Sequence, residues 1–150
     1  MKFNYLLLVI LATVITSCSP EPQPIDFGKE ECTLCKMTIS QRQWGAEIVT
    51  TKTRTIKFDA AECMAKYINS RMIQHSDIYS CWVVDYGNPG QLINCDKASF
   101  LHSLSLPSPM AMFLTAFSSN DVLKKTMKEH PGEVLNWNGV LHLVKTEWGD

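Results

Sequence analysis

The segment Cys32-Thr33-Leu34-Cys35-Lys36-Met37 places two thiols and a thioether close together in the chain. A second sulfur-bearing segment, Pro109-Met110-Ala111-Met112, lies far downstream. Thiolates and thioethers are soft ligands, and a site that combines cysteine with methionine favours Cu(I) over harder divalent ions. About two or three such donors satisfy Cu(I), so Cys35, Met37 and one donor from elsewhere suffice. The two segments predict a protein that holds a copper ion and transfers it.

Three other interpretations of the Cys32 and Cys35 pair stay open. A tetrahedral zinc site needs two more ligands, and Cys63 with Cys81 or Cys95 would have to supply them. A redox dithiol or a plain disulfide is the second alternative. In thioredoxin-like proteins, however, that motif follows a strand and opens a helix, whereas here it precedes the first predicted strand. The third alternative is an inert structural role.

Other sulfur-bearing residues are candidates for the remaining ligands. Met110 is expected to be either a ligand or a packing side chain, because methionines usually fill cores. Met112, Met64 and Met72 are expected in the core. Cys63 falls in the first turn of a predicted helix, where the helix dipole lowers a thiol pKa. It is therefore a candidate third ligand, or else a small buried residue.

Composition and motif content argue against two classes of function. The formal net charge is -1, and no cluster of Lys and Arg suggests a nucleic-acid partner. The chain has no glycine-rich phosphate loop, no Gly-x-Ser-x-Gly turn and no paired carboxylates at a useful spacing. We therefore expect a binding protein and not an enzyme.

The N-terminal residues have the features of a bacterial lipoprotein. Residues 1–17 combine one basic residue, a short apolar run and small residues directly before Cys18. The run is shorter than the roughly 20 residues that a membrane span needs. We expect a signal peptide over 1–17, lipidation at Cys18, a proline-rich tether over 18–27 and a folded domain over 28–150. The alternative is an ordinary secretory signal that is cleaved nearby.

The number of cysteines limits how they can pair. If Cys18 carries lipid, five remain, namely Cys32, Cys35, Cys63, Cys81 and Cys95. An odd number cannot pair completely, so at least one thiol stays free or binds something. Cys81 and Cys95 flank predicted strands, and we expect them to pair with each other or to pack.

The first half of the domain reads as a β-β-α unit. Residues 44–50 and 53–58 are rich in Thr, Val, Ile and aromatics and predict two strands. Asp59, followed three residues later by Glu62, is typical of a helix N-cap. Apolar residues then recur at helical spacing, at Ala61, Met64, Ala65, Ile68 and Met72.

The second half reads as a looser version of the same plan. Residues 81–86 and 92–95 predict strands, and Asp96 is a candidate cap for a short helix through Leu101. Ser119 or Asn120 caps a predicted helix from Asp121 to Glu129, and Asn138-Gly139 predicts a terminal hairpin. The expected fold is α+β, with two β-β-α units in a single compact domain.

These features together resemble the NosL family, lipoprotein copper chaperones for the assembly of nitrous oxide reductase. The resemblance runs through most of the mature chain. It rests on the cysteine after the signal and on an ordered set of segments: residues 31–39, Phe58-Asp59-Ala60-Ala61-Glu62-Cys63, Val84-Asp85-Tyr86 and residues 108–112.

The resemblance implies a Cu(I)-binding lipoprotein of the outer membrane that faces the periplasm, related in fold to organomercurial lyase. The Cys-x-Met element of the family falls on Cys35 and Met37, and its Pro-Met element falls on Met110. The implied partners are an acceptor cuproprotein or its maturation machinery, the membrane through the N-terminal lipid, and as a further option a second copy of the chain. Lys36 and Ala111 stand where family members usually have glycine.

Overall fold

The structure is a computed structural model that describes residues 20–149. The predicted signal peptide and the predicted lipidation site at Cys18 lie outside the described residues. Within residues 20–149 the chain forms seven strands in two antiparallel sheets, together with three α-helices. None of the helices in this range is long and apolar enough to cross a membrane.

The first sheet has four strands in the order β2-β1-β3-β4. Their bounds are Ala46–Thr50 (β1), Thr55–Phe58 (β2), Ile78–Val84 (β3) and Leu92–Asn94 (β4). In β1, Ala46 lies opposite both Phe58 of β2 and Val83 of β3. Every residue of β1 is buried, because it is a central strand. The two strands predicted in the first half are confirmed.

The second sheet has three strands in the order β6-β5-β7. Their bounds are Ser99–His102 (β5), Leu114–Phe117 (β6) and Glu133–Leu135 (β7). The helices are Ala61–Asn69 (α1), Asn120–Glu129 (α2) and Trp137–Trp148 (α3), and two short 3-10 turns cover His75–Asp77 and Cys95–Lys97. The Ser119 side chain caps α2 by accepting the backbone N–H of Val122, as predicted.

One hydrophobic core joins the two sheets. Phe58 and Met64 from the first half share it with Phe100, Val140 and Val144 from the second. The predicted α+β class and single compact domain are confirmed, and β1-β2-α1 and β5-β6-α2 form two β-β-α units. The second unit begins later than predicted, because the strands predicted over 81–86 and 92–95 form β3 and β4 of the first sheet.

The short helix predicted after Asp96 is wrong. Phe100 and Leu101 belong to β5, where both side chains are fully buried. The strand β5 lies between β6 and β7, and a strand covered on both faces carries consecutive apolar residues instead of alternating ones. The periodicity of such a short run does not distinguish a strand from a helix.

The terminal hairpin predicted at Asn138-Gly139 is also wrong, since both residues lie in α3. The Asn136 side chain caps this helix by accepting the backbone N–H of Gly139 at 2.9 Å. Trp137, Val140 and Val144 recur at helical spacing and are buried. That periodicity outweighs the turn preference of the Asn-Gly dipeptide.

Helix α1 begins one residue later than the sequence predicted, and the predicted burial of Ala61, Met64, Ala65 and Ile68 is confirmed. The predicted core position of Met72 is wrong, because its residue is 56% exposed. Arg71 adopts a left-handed conformation with φ 53°, and the backbone N–H of Met72 donates to the carbonyl of Tyr67 at 3.2 Å. This is the pattern of a Schellman cap, which turns the chain away from the apolar face of the helix.

The segment that leads into the domain is fastened to the first sheet. The Lys57 ammonium on β2 donates to the backbone carbonyl of Pro24 at 2.8 Å and pairs with the Glu30 carboxylate, also at 2.8 Å. The backbone N–H of Gln23 donates to the buried Glu47 carboxylate. Ile25 is buried in the core.

Candidate metal centre

The cysteine motif forms a closed turn next to β2. The backbone N–H of Cys32 donates to the carbonyl of Met37 at 2.8 Å, and that of Lys36 donates to the carbonyl of Cys32 at 3.0 Å. The backbone N–H of Thr33 donates to the carbonyl of Lys57 at 2.9 Å, which ties the turn to the sheet. The turn is therefore formed by the chain itself and does not need a metal to close it.

Two loops of the centre contain residues in the left-handed region of backbone space. Lys36 has φ 64° and Ala111 has φ 58°. Glycine adopts this conformation without steric cost, whereas a side chain does so only with strain. These are the two positions at which the resemblance led us to expect glycine, so the backbone geometry explains that expectation.

Three thiols and one carboxylate converge at the turn. The sulfur atoms of Cys32, Cys35 and Cys63 and a carboxylate oxygen of Asp59 all lie within 4.8 Å of one another. Cys32 and Cys63 are fully buried, and Cys35 is half-buried. Over residues 20–149 this is the only group of three or more His, Cys, Asp or Glu side chains gathered so closely.

Asp59 is a member of this group and not the helix cap that the sequence predicted. The N-cap position of α1 is Ala60, and no side chain there accepts a hydrogen bond from the helix. Asp59 is almost fully buried, and its Oδ1 atom has no hydrogen-bond partner among the described residues. A buried, unpaired carboxylate oxygen costs free energy unless a cation or a donor satisfies it. Asp59 therefore fits a centre that binds a positive ion.

The three thiols differ in pKa because their surroundings differ. The hydrogen bond from Cys63 and the backbone N–H groups of Cys35 and Asp59 lower the pKa of Cys32 to about 6, although burial opposes them. The same contact with Cys32, together with burial, raises the pKa of Cys63 far above its ordinary value. Burial also raises the pKa of Cys35, although a hydrogen bond from the backbone N–H of Met37 lowers it in part. Cys32 therefore favours the thiolate, and a metal ion would displace protons from the other two.

Met37 lies at the mouth of the centre. Its residue is 48% exposed, and its side chain lines a cavity of about 50 Å³ together with Asp59 and Pro109. Met110, which follows Pro109 in the chain, is half-buried against the core. Met112 is buried, as the sequence predicted. The structure thus gathers Cys32, Cys35 and Cys63 at one point and brings Met37 and the loop of Met110 to the same opening.

A buried carboxylate holds that loop against α1. Glu62 is fully buried and precedes Cys63 in the helix. Its carboxylate accepts a hydrogen bond from the hydroxyl of Ser108, two residues before Met110 in the same loop. Burial is the main cause that raises the pKa of Glu62 to about 7. Glu62 therefore couples the position of Met110 to the helix that carries Cys63.

Sequence reasoning found the three thiols of the centre and missed Asp59. The available signal was its position, because Asp59 lies just before the helix that carries Cys63. The zinc alternative required Cys81 or Cys95 as a ligand beside Cys63, and neither belongs to the group. With Asp59 as a fourth candidate donor, the set has the ligand number of tetrahedral zinc as well as the sulfur donors that Cu(I) prefers.

Comparisons with known proteins agree with this architecture. The family model described as NosL matches residues 24–142. No curated protein matches the chain. The crystal structure of the copper chaperone NosL from Shewanella denitrificans is similar, with a TM-score of 0.69 and 18% sequence identity. The match covers 80% of this chain and 95% of that one, and at this identity it establishes the fold.

Proposed function

The chain belongs to the NosL family, and we propose that it is a carrier that binds Cu(I) and passes it to a cuproprotein. A carrier role agrees with the expectation that the chain is not an enzyme. The observation on which the proposal rests is the convergence of three thiols, two of them fully buried, on one point of the fold.

The donor set favours Cu(I) over zinc as the cargo. Three sulfur donors form a trigonal environment that suits a soft monovalent ion. Met37 and the loop of Met110 place further soft donors at the opening, and a zinc site would gain nothing from thioethers. We propose Cys32, Cys35 and Cys63 as the inner ligands, with Met37 and Met110 as the outer ones.

The gradient of exposure across these ligands supports a transfer function. Cys63 and Cys32 are fully buried, Cys35 is half-buried, and Met37 is about half exposed. An acceptor can therefore reach Met37 and Cys35 first and exchange ligands one at a time. Cys32 and Cys63 would release the ion last.

The setting and the partners are further parts of the proposal. We infer that residues 1–17 are a signal peptide and that Cys18 carries lipid, so that a tether over 18–27 links the domain over 28–150 to the outer membrane on its periplasmic side. The proposed acceptor is nitrous oxide reductase or its maturation machinery, in keeping with the family. A second copy of the chain is a further candidate partner.

The decisive experiment is an anaerobic Cu(I) titration of reduced protein against a chromophoric chelator. We expect about one Cu(I) per chain or per dimer and little binding of Zn(II). Cys35→Ser should weaken Cu(I) binding by well over tenfold, and Met37→Ala by about tenfold or less. Met72→Ala is the matched control, because Met72 is similarly exposed but lies outside the centre. Its affinity should equal that of the wild type.

Two outcomes would contradict the proposal. If Cys35→Ser kept full Cu(I) affinity, the assigned centre would be wrong. If the purified protein held zinc and Met37→Ala changed nothing, a zinc-stapled fold would replace the carrier.

The second candidate function is thiol-disulfide exchange by the Cys32 and Cys35 pair. The lowered pKa of Cys32 favours it, since the thiolate is the nucleophile in such exchange. It predicts turnover of a model disulfide substrate that Cys35→Ser abolishes and Met37→Ala does not affect. Absence of turnover together with tight Cu(I) binding would remove this candidate.

A further inference from the structure

Two cysteines lie outside the metal centre, one in β3 and one just after the end of β4, which are neighbouring strands of the first sheet. Cys81 belongs to β3, and Cys95 directly follows β4. The ladder between these strands ends at the pair Trp82 and Asn94, and Cys81 and Cys95 are the next residues beyond that pair. Opposed residues in antiparallel strands have Cα atoms about 4.5–5.5 Å apart. That spacing falls within the range of about 4.4–6.8 Å found in disulfides.

Cys81 and Cys95 also line the same cavity. Both line a cavity of about 290 Å³ that Ile68 of α1 and Trp137 and Leu141 of α3 help to enclose. Cys81 is partly exposed in this cavity, whereas Cys95 is 1% exposed. A reagent that enters the cavity therefore reaches Cys81 more easily than the buried Cys95.

We propose that Cys81 and Cys95 form a cross-strand disulfide, separate from the metal centre, when the protein meets an oxidising disulfide. The Cys81 thiolate attacks one sulfur of the reagent disulfide, gives a mixed disulfide and releases one reagent thiol. The Cys95 thiolate then attacks the Cys81 sulfur and releases the second. Two protein thiols lose two protons and two electrons, and the reagent disulfide is reduced to two thiols.

This pairing accounts for the number of cysteines in the domain. Of the five in residues 20–149, Cys32, Cys35 and Cys63 meet at the metal centre, which leaves Cys81 and Cys95. A disulfide between these two keeps them from exchanging with the three thiols of the centre. Burial raises the pKa of Cys81 to about 12, which lowers the thiolate fraction, so the attack on the reagent disulfide is expected to be slow.

The proposal is tested on the full reduced protein with glutathione disulfide as the oxidant. Remaining thiols are alkylated, the protein is digested, and the linked peptides are identified by mass spectrometry. We expect a peptide pair joined through Cys81 and Cys95, and a rise in Tm of roughly 5 °C or more upon oxidation. In Cys35→Ser the same link should form, because the pair is independent of the centre. In Cys81→Ala the link and the rise in Tm should both disappear.

Three results would overturn the proposal. Alkylation of both Cys81 and Cys95 after oxidation, with a disulfide among the other three cysteines, would show that the pair does not close. A stable glutathione adduct on Cys81 would show that Cys95 cannot reach it. A second equivalent of Cu(I) lost in Cys81→Ala would show that these thiols, with His75 at the rim of the cavity, bind metal instead. The mapping on the wild-type chain decides the matter even if a variant fails to fold.

Discussion

Lys36, which lies between Cys35 and Met37 in the turn, has a strained backbone conformation that a single substitution can relieve. Lys36 is exposed and has φ 64°, and its backbone N–H still donates to the carbonyl of Cys32. An L-residue in the left-handed region costs about 1–2 kcal/mol. Glycine removes this cost but loses about 0.5–1 kcal/mol of chain entropy on folding. Lys36→Gly should therefore raise the free energy of unfolding by roughly 0.5–1 kcal/mol.

The assay is urea denaturation of the reduced, metal-free protein, with Lys125→Gly as the matched control. Lys125 is an exposed lysine in the interior of α2, where the backbone is helical and glycine costs about 1 kcal/mol. The same chemical change should therefore stabilise at one site and destabilise at the other. Cu(I) affinity should stay within a few-fold of the wild type, because the turn is already closed. If Lys36→Gly destabilised the protein as Lys125→Gly does, the assignment of strain would be refuted.

Three further predictions test other parts of the fold. Glu62 has a folded pKa of about 7 against an ordinary 4.5, so its contribution to stability is complete below about 4.5 and is lost as the pH rises through 7. In the wild type, the free energy of unfolding should fall by about 3 kcal/mol between pH 4.5 and 8, and Glu62→Gln should abolish this fall. Urea denaturation across this pH range measures it, and a variant with the wild-type pH profile would contradict the prediction. Asn136→Ala should cost about 1 kcal/mol, because it removes the cap of α3, and thermal melts would show it. Gly132→Ala should cost about 1–3 kcal/mol, since its Cβ would lie 2.2 Å from the carbonyl oxygen of His102; an unchanged Tm would contradict that packing.

The sequence predicted those features that depend on local pattern. The β-branched residues of β1 and β2 and the apolar face of α1 follow directly from residue type and period. The Cys-x-x-Cys-x-Met spacing likewise identified the turn of the centre, because a short loop keeps its thiols close wherever it lies. These elements needed no knowledge of their neighbours.

The errors arose where tertiary contacts override local preference. Asp59 has the sequence of a cap, but two of the three thiols that approach it, Cys32 and Cys35, come from a turn more than twenty residues earlier, which no local pattern records. Asn138-Gly139 has the sequence of a hairpin turn, but the apolar residues that follow it bury against α1 only as a helix. The membership of β3 in the first sheet depends on its pairing with β1, which the sequence does not encode locally.

The contacts of Lys57 have a mechanical consequence. Its ammonium donates a hydrogen bond to the carbonyl of Pro24, which lies before the domain's first strand. Its own carbonyl accepts a hydrogen bond from the backbone N–H of Thr33 in the cysteine turn. Strand β2 is therefore hydrogen-bonded both to the segment that enters the domain and to the turn that would bind copper. A force applied to the chain upstream of Pro24 would therefore act directly on the strand that supports the cysteine turn.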